Sequence, residues 1–451
     1  MKDESAHISS KTPIVLMPID TPSRELEWRL MMAVKLAGVG CTSVISTSEL
    51  IAQSHKCSEN CIWLGRFSSN DGTSTRDSLT VAAMQKNKTS MYFIHDEGGF
   101  YLDKYYEEAL ESIHPYDKLV LPNVKAVFFW GELQKKIYCR NHPDISCKSH
   151  VYGYPRFDLN KKILRKHKSR ASKSILVCTK FSTANYKYNY SLNHAQSPFS
   201  SRKLELAKKR VASEAEAFEY VFDFWSHNIY CFEKFLRLIA QLSNEFKEHE
   251  IVVRPHPGEN YGFYRNFCSH FDNVFLDTNE DAIYSINGSD LVISSSCTTG
   301  MEALMADIPL INYIPMHPNF EFSNALLSEI GIVSNSGENV IQLAKSILAQ
   351  DRTKIELNPN EHLFFNRDLS SSDLILEHIY KDIHNVTMQT SSYIILAKNQ
   401  LADKDRCFVS INNGKGIKYI ETALRYASDE GYCIDITASS DDYLIISPKV
   451  T

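Results

Sequence analysis

Short runs of aliphatic and β-branched residues alternate along this chain with longer stretches in which apolar positions recur every three or four residues. The run "PIVLM" at 13–17 predicts a strand, the spacing over 23–36 an amphipathic helix, and 40–46 a second strand, which together make an opening βαβ unit. Further apolar runs at 90–94, 119–121 and 126–130 extend the pattern, so residues 1–165 read as one Rossmann-like domain with parallel strands. A second cycle starts with "KSILVCT" at 173–179, passes through a long helical region at 211–246, and continues with strands at 251–254, 274–276, 290–294 and 310–313. Residues 166–386 therefore read as a second domain of the same kind. From about residue 387 the pattern changes to short strands, "SYIILA", "CFVSI", "CIDIT" and "YLIIS", around one helix at 417–428. That predicts a small α+β appendage over 387–451. Two tandem Rossmann-like domains set the ends of two parallel sheets across a cleft, where such sheets take their ligands.

Composition adjusts this picture little. The 451 residues, 43% hydrophobic and 23% charged, suffice for two or three cores. A formal charge of -5 gives no overall pull toward nucleic acid, so anion sites must be local. Eleven cysteines, odd in number and mostly set in apolar runs, fit a reducing, cytoplasmic setting. Cys57 and Cys61 stand four apart near His55 without a second pair, which argues against a zinc set. The polar residues 1–11 resemble neither a secretory nor a transit signal, and no run approaches the ~20 apolar residues of a membrane span.

The candidate chemistry lies at strand ends. In "DLVISSSCTTGMEALMADIPLINYIP" (290–315) a buried strand empties into Ser294, Ser295, Ser296, Cys297, Thr298 and Thr299 before a helix begins. Hydroxyls and N–H groups at a helix start make an anion site, and one Ser or Thr would satisfy capping alone. Glu302 is either a capping-box acid or an acceptor for a ribose hydroxyl. In "IVVRPHPGEN" (251–260) the strand stops abruptly at Arg254-Pro255-His256-Pro257, and the two prolines fix the backbone on either side of His256. A turn histidine bonded to its own loop is the alternative.

Asp96 and Glu97 in "HDEGGF" follow a strand directly and offer carboxylates for acid or base chemistry, or form a plain Asp-Glu-Gly-Gly turn. Glu132, after "FFWG", is another acid that would also suit a helix start. In "KFSTANYKY", Lys180 and Asn185 either line the cleft or cap the next helix. Asp223 sits among aromatics in "YVFDFWSH", where burial would demand a partner and make it a satisfied core acid or a reactive one.

The ordered set "HDEGGF", "FFWGE", "CTKFSTANY", "RPHP", "SSSCTTGMEAL" and "PLINYIP" resembles bacterial surface-carbohydrate glycosyltransferases of the GT-B type, in particular the retaining β-Kdo transferases of O-antigen assembly. The pattern is also similar to that of bacterial sialyl- and polysialyltransferases. The resemblance spans about residues 12–385. It implies two Rossmann-like domains facing a cleft and a CMP-sugar donor, with His256, Ser294, Ser295, Ser296, Thr298 and Thr299 around CMP. It further implies a 2-keto sugar acid, whose carboxylate would meet Arg254, Lys180 or Asn185.

For the β-Kdo type the resemblance implies an aspartate nucleophile, matched here to Asp223, with Glu97 or Glu132 handling the acceptor hydroxyl. For the sialyl type it implies inversion, with Glu97 as sole base. No cofactor or metal is implied, since one phosphate can be neutralised by N–H groups and hydroxyls. The expected partners are a nucleotide sugar and a glycan acceptor, with no nucleic acid; a lipid-linked acceptor would place the protein at the inner face of the cytoplasmic membrane. A CDP-glycerol or CDP-ribitol transferase and a non-catalytic member of a polysaccharide complex are the competing readings.

Overall fold

The computed structural model describes residues 7–10, 13–19, 22–55, 58–66, 86–96, 107, 110, 123–159, 173–187, 201–208, 211–277, 282–295, 297–315, 331–349, 370–386, 392–395, 415–440 and 443–449. In chain order the strands are β1 (His7–Ser10), β2 (Ile14–Ile19), β3 (Thr42–Thr47), β4 (Ser58–Glu59), β5 (Ile62–Leu64), β6 (Ser90–Ile94), β7 (Val124–Phe129), β8 (Ser149–Val151), β9 (Ser174–Cys178), β10 (Glu250–Arg254), β11 (Val274–Leu276), β12 (Leu291–Ser294), β13 (Leu310–Tyr313), β14 (Ile332–Ser334), β15 (Ser392–Ile395), β16 (Ile434–Ser440) and β17 (Tyr443–Pro448). The helices used below are α1 (Pro22–Gly38), α2 (Ser48–His55), α3 (Glu132–Asn141), α4 (Ser201–Lys208), α5 (Glu214–Glu245), α6 (Tyr261–Cys268), α7 (Ala282–Asn287), α8 (Thr298–Met305), α9 (Gly337–Ala349), α10 (Ser371–Val386) and α11 (Lys415–Glu430).

The chain divides into two compact units. The first comprises Met1–Gly98, Glu107–Leu159 and Glu361–Thr451, the second Gly99–Tyr106 and Asn160–Asn360. The expected strands at 90–94, 274–276 and 310–313 coincide with β6, β11 and β13, and the expected strand at 119–121 lies outside the described residues.

The first unit is built on an eight-stranded sheet of order β16-β17-β3-β2-β5-β6-β7-β8. The six strands from β3 to β8 run parallel. All six residues of β2 are buried, as expected of a central strand covered on both faces. The segment expected as an appendage is built into this sheet: β17 pairs antiparallel with β3, Leu444 opposite Ile45 and Ile446 opposite Ser43, and β16 adds beyond it. The reason is apolar burial, since Tyr443 and Ile445 belong to the same core cluster as Leu16, Val44 and Phe93. Helix α11 packs on α1, and its Tyr426 hydroxyl donates to Glu27 at 3.1 Å.

Helix α10, expected in the second domain, also belongs to the first unit. Buried Asp158 accepts the Ser371 and Ser372 N–H groups at 3.0 and 2.7 Å, satisfying donors at the start of α10. Lys35 of α1 pairs with Asp373. A small antiparallel sheet, β1-β15-β4, completes this unit.

The second unit has one parallel sheet of order β11-β10-β9-β12-β13-β14. Its core sets Ile175, Val177, Ile251, Val253, Leu291, Ile293 and Ile311 against Phe235, Leu238, Ile239 and Leu242 of α5 and Val340 and Ala344 of α9. Only the C-terminal half of α5 takes part. Its N-terminal half packs Ala217 and Val221 on Ala207 in a small separate cluster, and Ser213 caps the helix by accepting the Glu216 N–H at 3.2 Å.

Candidate functional site

Counted in order of appearance, the second unit's strands stand 3-2-1-4-5-6 across the sheet. Open parallel sheets of this order take ligands outside the carboxyl ends of their strands, where the order reverses, here between β9 and β12. The register aligns that edge: Arg254 and Ser294 both lie opposite Cys178. Three segments that the sequence singled out therefore leave the sheet side by side.

After β9 comes Lys180, partly buried. Burial pushes the pKa of its ammonium down, while the nearby Cys297 and Cys231 act in the other direction. The chain then turns through Phe181 to Asn185, whose N–H donates to the Phe181 carbonyl at 2.7 Å. After β12, Ser294 and Ser295 are buried and α8 begins at Thr298. Its N-cap is Cys297, in extended conformation and making no cap with its own side chain, and the partly exposed Thr298 and Thr299 open the first turn. Gly300 permits the close approach of this helix to its strand, because a Cβ there would lie 3.0 Å from the Ser294 hydroxyl. Ser296 lies outside the described residues.

Two assignments at this edge change. A capping box would need Glu302 at the third helical position, but α8 starts at Thr298 and its third residue is Gly300, so Glu302 lies too far along and is buried in the helix. Arg254 does not stand ready for a ligand carboxylate: it donates to buried Asp277 at 2.7 Å, and Asp277 also accepts from Ser285. Its charge is met inside the protein.

The "PHPGEN" loop is held largely by its own bonds. His256 is exposed, and its Nδ1 accepts the Gly258 N–H at 3.1 Å, so a neutral ring carries its proton on Nε2. It is thus a turn histidine bonded to its own loop and exposed to solvent. Gly258 is wedged between the His256 ring and Ser182, each 3.2 Å from where a Cβ would sit. Asn260 caps α6 by accepting the Gly262 and Phe263 N–H groups at 2.9 and 3.2 Å. Glu259, which the sequence analysis did not single out, is fully buried and binds several groups at once. It accepts from the His256 N–H at 2.9 Å, the Thr179 hydroxyl at 3.0 Å and the Tyr264 hydroxyl at 2.5 Å. Burial pushes its carboxyl up to about 7, and the hydrogen bonds from Tyr264, His256 and Thr179 pull the other way.

Asp223 is exposed on the N-terminal half of α5, beside Phe222 at 45% exposure, and not buried among aromatics. The small cluster there uses Ala217 and Val221, leaving the Asp223 position outside it.

In the first unit the described acids, Asp96 and Glu132, differ in setting. Glu97 lies outside the described residues. Glu132 is exposed at the first position of α3, where an acid meets the positive end of the helix. Asp96 is engaged in a buried network, accepting from Trp28 Nε1 and the Tyr154 hydroxyl, both at 2.9 Å, and from Arg29 Nη2 at 3.0 Å. The Arg29 guanidinium also lies 3.7 Å from the Trp28 ring centroid, and Tyr154 stacks on Trp130 at 4.4 Å. Beside them, buried Glu25 is pushed up to about 7 by burial and then by the charge of Asp96. Among the described residues no group of three or more His, Cys, Asp or Glu side chains is placed to share a metal ion. No described helix is long and apolar enough to cross a membrane.

No family model matches the chain, and no curated protein is significantly similar to it. Solved structures give low-identity likenesses. A Neisseria meningitidis UDP-GlcNAc 2-epimerase bound to UDP-GlcNAc is 13% identical over 82% of this chain and 100% of its own, with a TM-score of 0.46. Staphylococcus aureus MnaA with UDP is 11% identical over 84% and 99%, at 0.47. A variant of the wall teichoic acid polymerase TagF is 11% identical over 83% and 90%, at 0.48.

Proposed function

We propose that the chain is a glycosyltransferase of bacterial surface-polysaccharide assembly, drawing its sugar from a nucleotide donor held at the β9/β12 edge of the second unit. The observation that carries the reading is the 3-2-1-4-5-6 sheet whose switch point is flanked by Lys180 on one side and by the start of α8, with Thr298 and Thr299, on the other. A phosphate placed there meets N–H groups, two hydroxyls and a cation without a metal being required. His256, with Nε2 carrying the proton, is the hydrogen-bond donor suited to the departing phosphate or to the pyrimidine.

The ordered motifs support CMP as the nucleotide and a 2-keto sugar acid, Kdo, as the sugar. With Arg254 held by Asp277, the sugar carboxylate falls to Lys180 and Asn185. In the retaining course, a carboxylate oxygen of Asp223 attacks the anomeric carbon as the bond from that carbon to the phosphate oxygen breaks, and CMP leaves with the electron pair. The acceptor hydroxyl oxygen then bonds to the anomeric carbon as the aspartyl ester bond breaks, restoring the Asp223 carboxylate, and the hydroxyl proton passes to solvent.

The test is direct. Calorimetric titration with CMP, CDP, UMP and UDP is expected to rank CMP first. CMP-Kdo with a synthetic glycan acceptor should release CMP and give a product whose anomeric configuration NMR reads as retained. Failure to bind any of the four nucleotides would end the reading; binding of CDP in preference to CMP would replace Kdo with a CDP-linked donor.

A further inference from the structure

The second unit contains a device that none of the motifs announces. The loops that leave β9 and β10 do not merely lie side by side. Tyr186 and Glu259 form an isolated antiparallel bridge, the Lys187 N–H donates to the Gly258 carbonyl at 3.0 Å, and the Asn260 N–H donates to the Asn185 carbonyl at 3.0 Å. Thr179 is bonded back to the Arg254 carbonyl at 3.0 Å. Beneath this miniature ladder sits one carboxylate, that of Glu259, with no exposure to solvent. It takes a proton donor from each wall: Thr179 from the β9 loop, the backbone of His256 from the β10 loop, and Tyr264 from α6. Burying an acid is unfavourable unless donors converge on it, and removing this one would take the acceptor from the His256 N–H and the Thr179 hydroxyl and leave Tyr264 only Thr179 Oγ1 at 3.0 Å.

We propose that Glu259 is a positioning residue for the donor site, a buried clamp that locks the Thr179–Lys187 and Pro255–Asn260 loops into one rigid wall, so that Lys180, Asn185 and His256 meet the nucleotide as a preformed set. The proposal rests on the nucleotide-site reading above and adds how that site keeps its shape. Glu259 itself touches no ligand. It acts through the backbone of His256 and through the loop that carries Lys180. Displacement of such a set by about 1 Å is enough to cost up to a hundredfold in a rate or affinity.

The hydrogen-bond pattern also predicts which replacement the clamp tolerates. A glutamine can keep its oxygen on the His256 N–H and the Thr179 hydroxyl while its amide donates to the Tyr264 oxygen. The Tyr264 proton then turns to Thr179 Oγ1, which lies 3.0 Å away. A leucine of similar reach satisfies none of these groups.

The experiment compares wild type, Glu259→Gln and Glu259→Leu, with Thr179→Val and Tyr264→Phe as milder single-strut variants in case the leucine protein fails to fold. Two readouts are taken on the full chain: amide hydrogen exchange at Lys187 and Asn260, and calorimetric affinity for CMP. In the leucine protein and the single-strut variants both amides should exchange faster, and CMP affinity should fall at least tenfold in the leucine protein. Glutamine should recover most of both. Unchanged protection of the two amides in Glu259→Leu, Thr179→Val and Tyr264→Phe overturns the clamp whether or not nucleotides bind. Loss of protection without loss of CMP affinity overturns the positioning role and leaves the nucleotide reading intact. Glutamine behaving like leucine overturns the proposal as well, since charge and not the pattern of acceptors would then be what matters. If wild type binds no nucleotide, the function reading fails and the exchange data alone judge the clamp.

Discussion

Both units set polar residues at the carboxyl ends of parallel strands, and they use them in opposite ways. In the first unit, Arg29 and Asp96 are buried and ion-paired at 3.0 Å, and Trp28 and Tyr154 add two further donors to the acid. In the second, Ser294, Ser295 and Glu259 are buried, but Lys180, Thr298 and Thr299 around them are partly exposed and His256 is exposed. Polar residues at a strand end therefore do not announce a site by themselves. What distinguishes the edges is whether the polar groups are sealed from solvent or remain within reach of a ligand.

That contrast can be broken most forcefully at Asp96. Asp96→Ala would leave the buried guanidinium of Arg29 without its counter-charge and is expected to destabilise the protein by about 3–5 kcal/mol in denaturant unfolding. Nucleotide affinity of the surviving folded fraction should not move. A loss below about 1 kcal/mol would show that the first edge is not the structural one.

The next effect concerns pH and separates the edges acid by acid. Glu25 and Glu259 each rise from an ordinary 4.5 to about 7 on folding. Between those values the folded protein holds protons that the unfolded chain has released. The stability associated with each acid is thus fully present below about 4.5 and is lost as pH rises through about 7. At about 1.4 kcal/mol per unit this amounts to roughly 3 kcal/mol for an independent acid. Melting followed from pH 4.5 to 8 should fall with pH in wild type, and Glu25→Gln and Glu259→Gln should each flatten the slope. A flat wild-type profile refutes the assignment.

The smallest effect sharpens the contrast most. Burial disfavours the charged form of Lys180, so Lys180→Met should leave melting unchanged or raise it, while phosphate binding loses one charged donor. The expected loss is about 1.5–3 kcal/mol, or roughly ten- to a hundredfold in CMP affinity by calorimetry. A variant that melts lower and binds CMP normally would assign Lys180 to structure.

Much of the fold is legible because a buried parallel strand leaves a local trace. The runs at Ser90–Ile94 and Leu310–Tyr313 can be read without knowing their neighbours. Pairing at a distance leaves no such trace. "YLIIS" reads as a strand, but nothing in it says that Leu444 lies opposite Ile45, nearly four hundred positions away. The site shows the same division. The hydroxyl-rich helix start and the proline-braced His256 are local signals. By contrast, Arg254 is occupied by Asp277 and Glu259 by Thr179, partners that periodicity does not reveal. The aromatic neighbours of Asp223 suggest a buried acid, whereas that end of α5 packs Ala217, Val221 and Tyr220 on Ala207 and Leu204 and leaves Asp223 exposed.

The placement of β16 and β17 has a consequence for how the chain comes into being. The first unit's sheet is begun by strands that precede the second unit in the chain and completed by strands that follow it, whereas every described strand of the second unit lies between Ser174 and Ser334. On the ribosome the second unit has all its pairing partners while the first still exposes the edge of β3, so the later-encoded unit can finish first. A chain stalled or clipped before β16 would carry a completed second unit together with an open-edged sheet, which is the state most exposed to strand-to-strand aggregation.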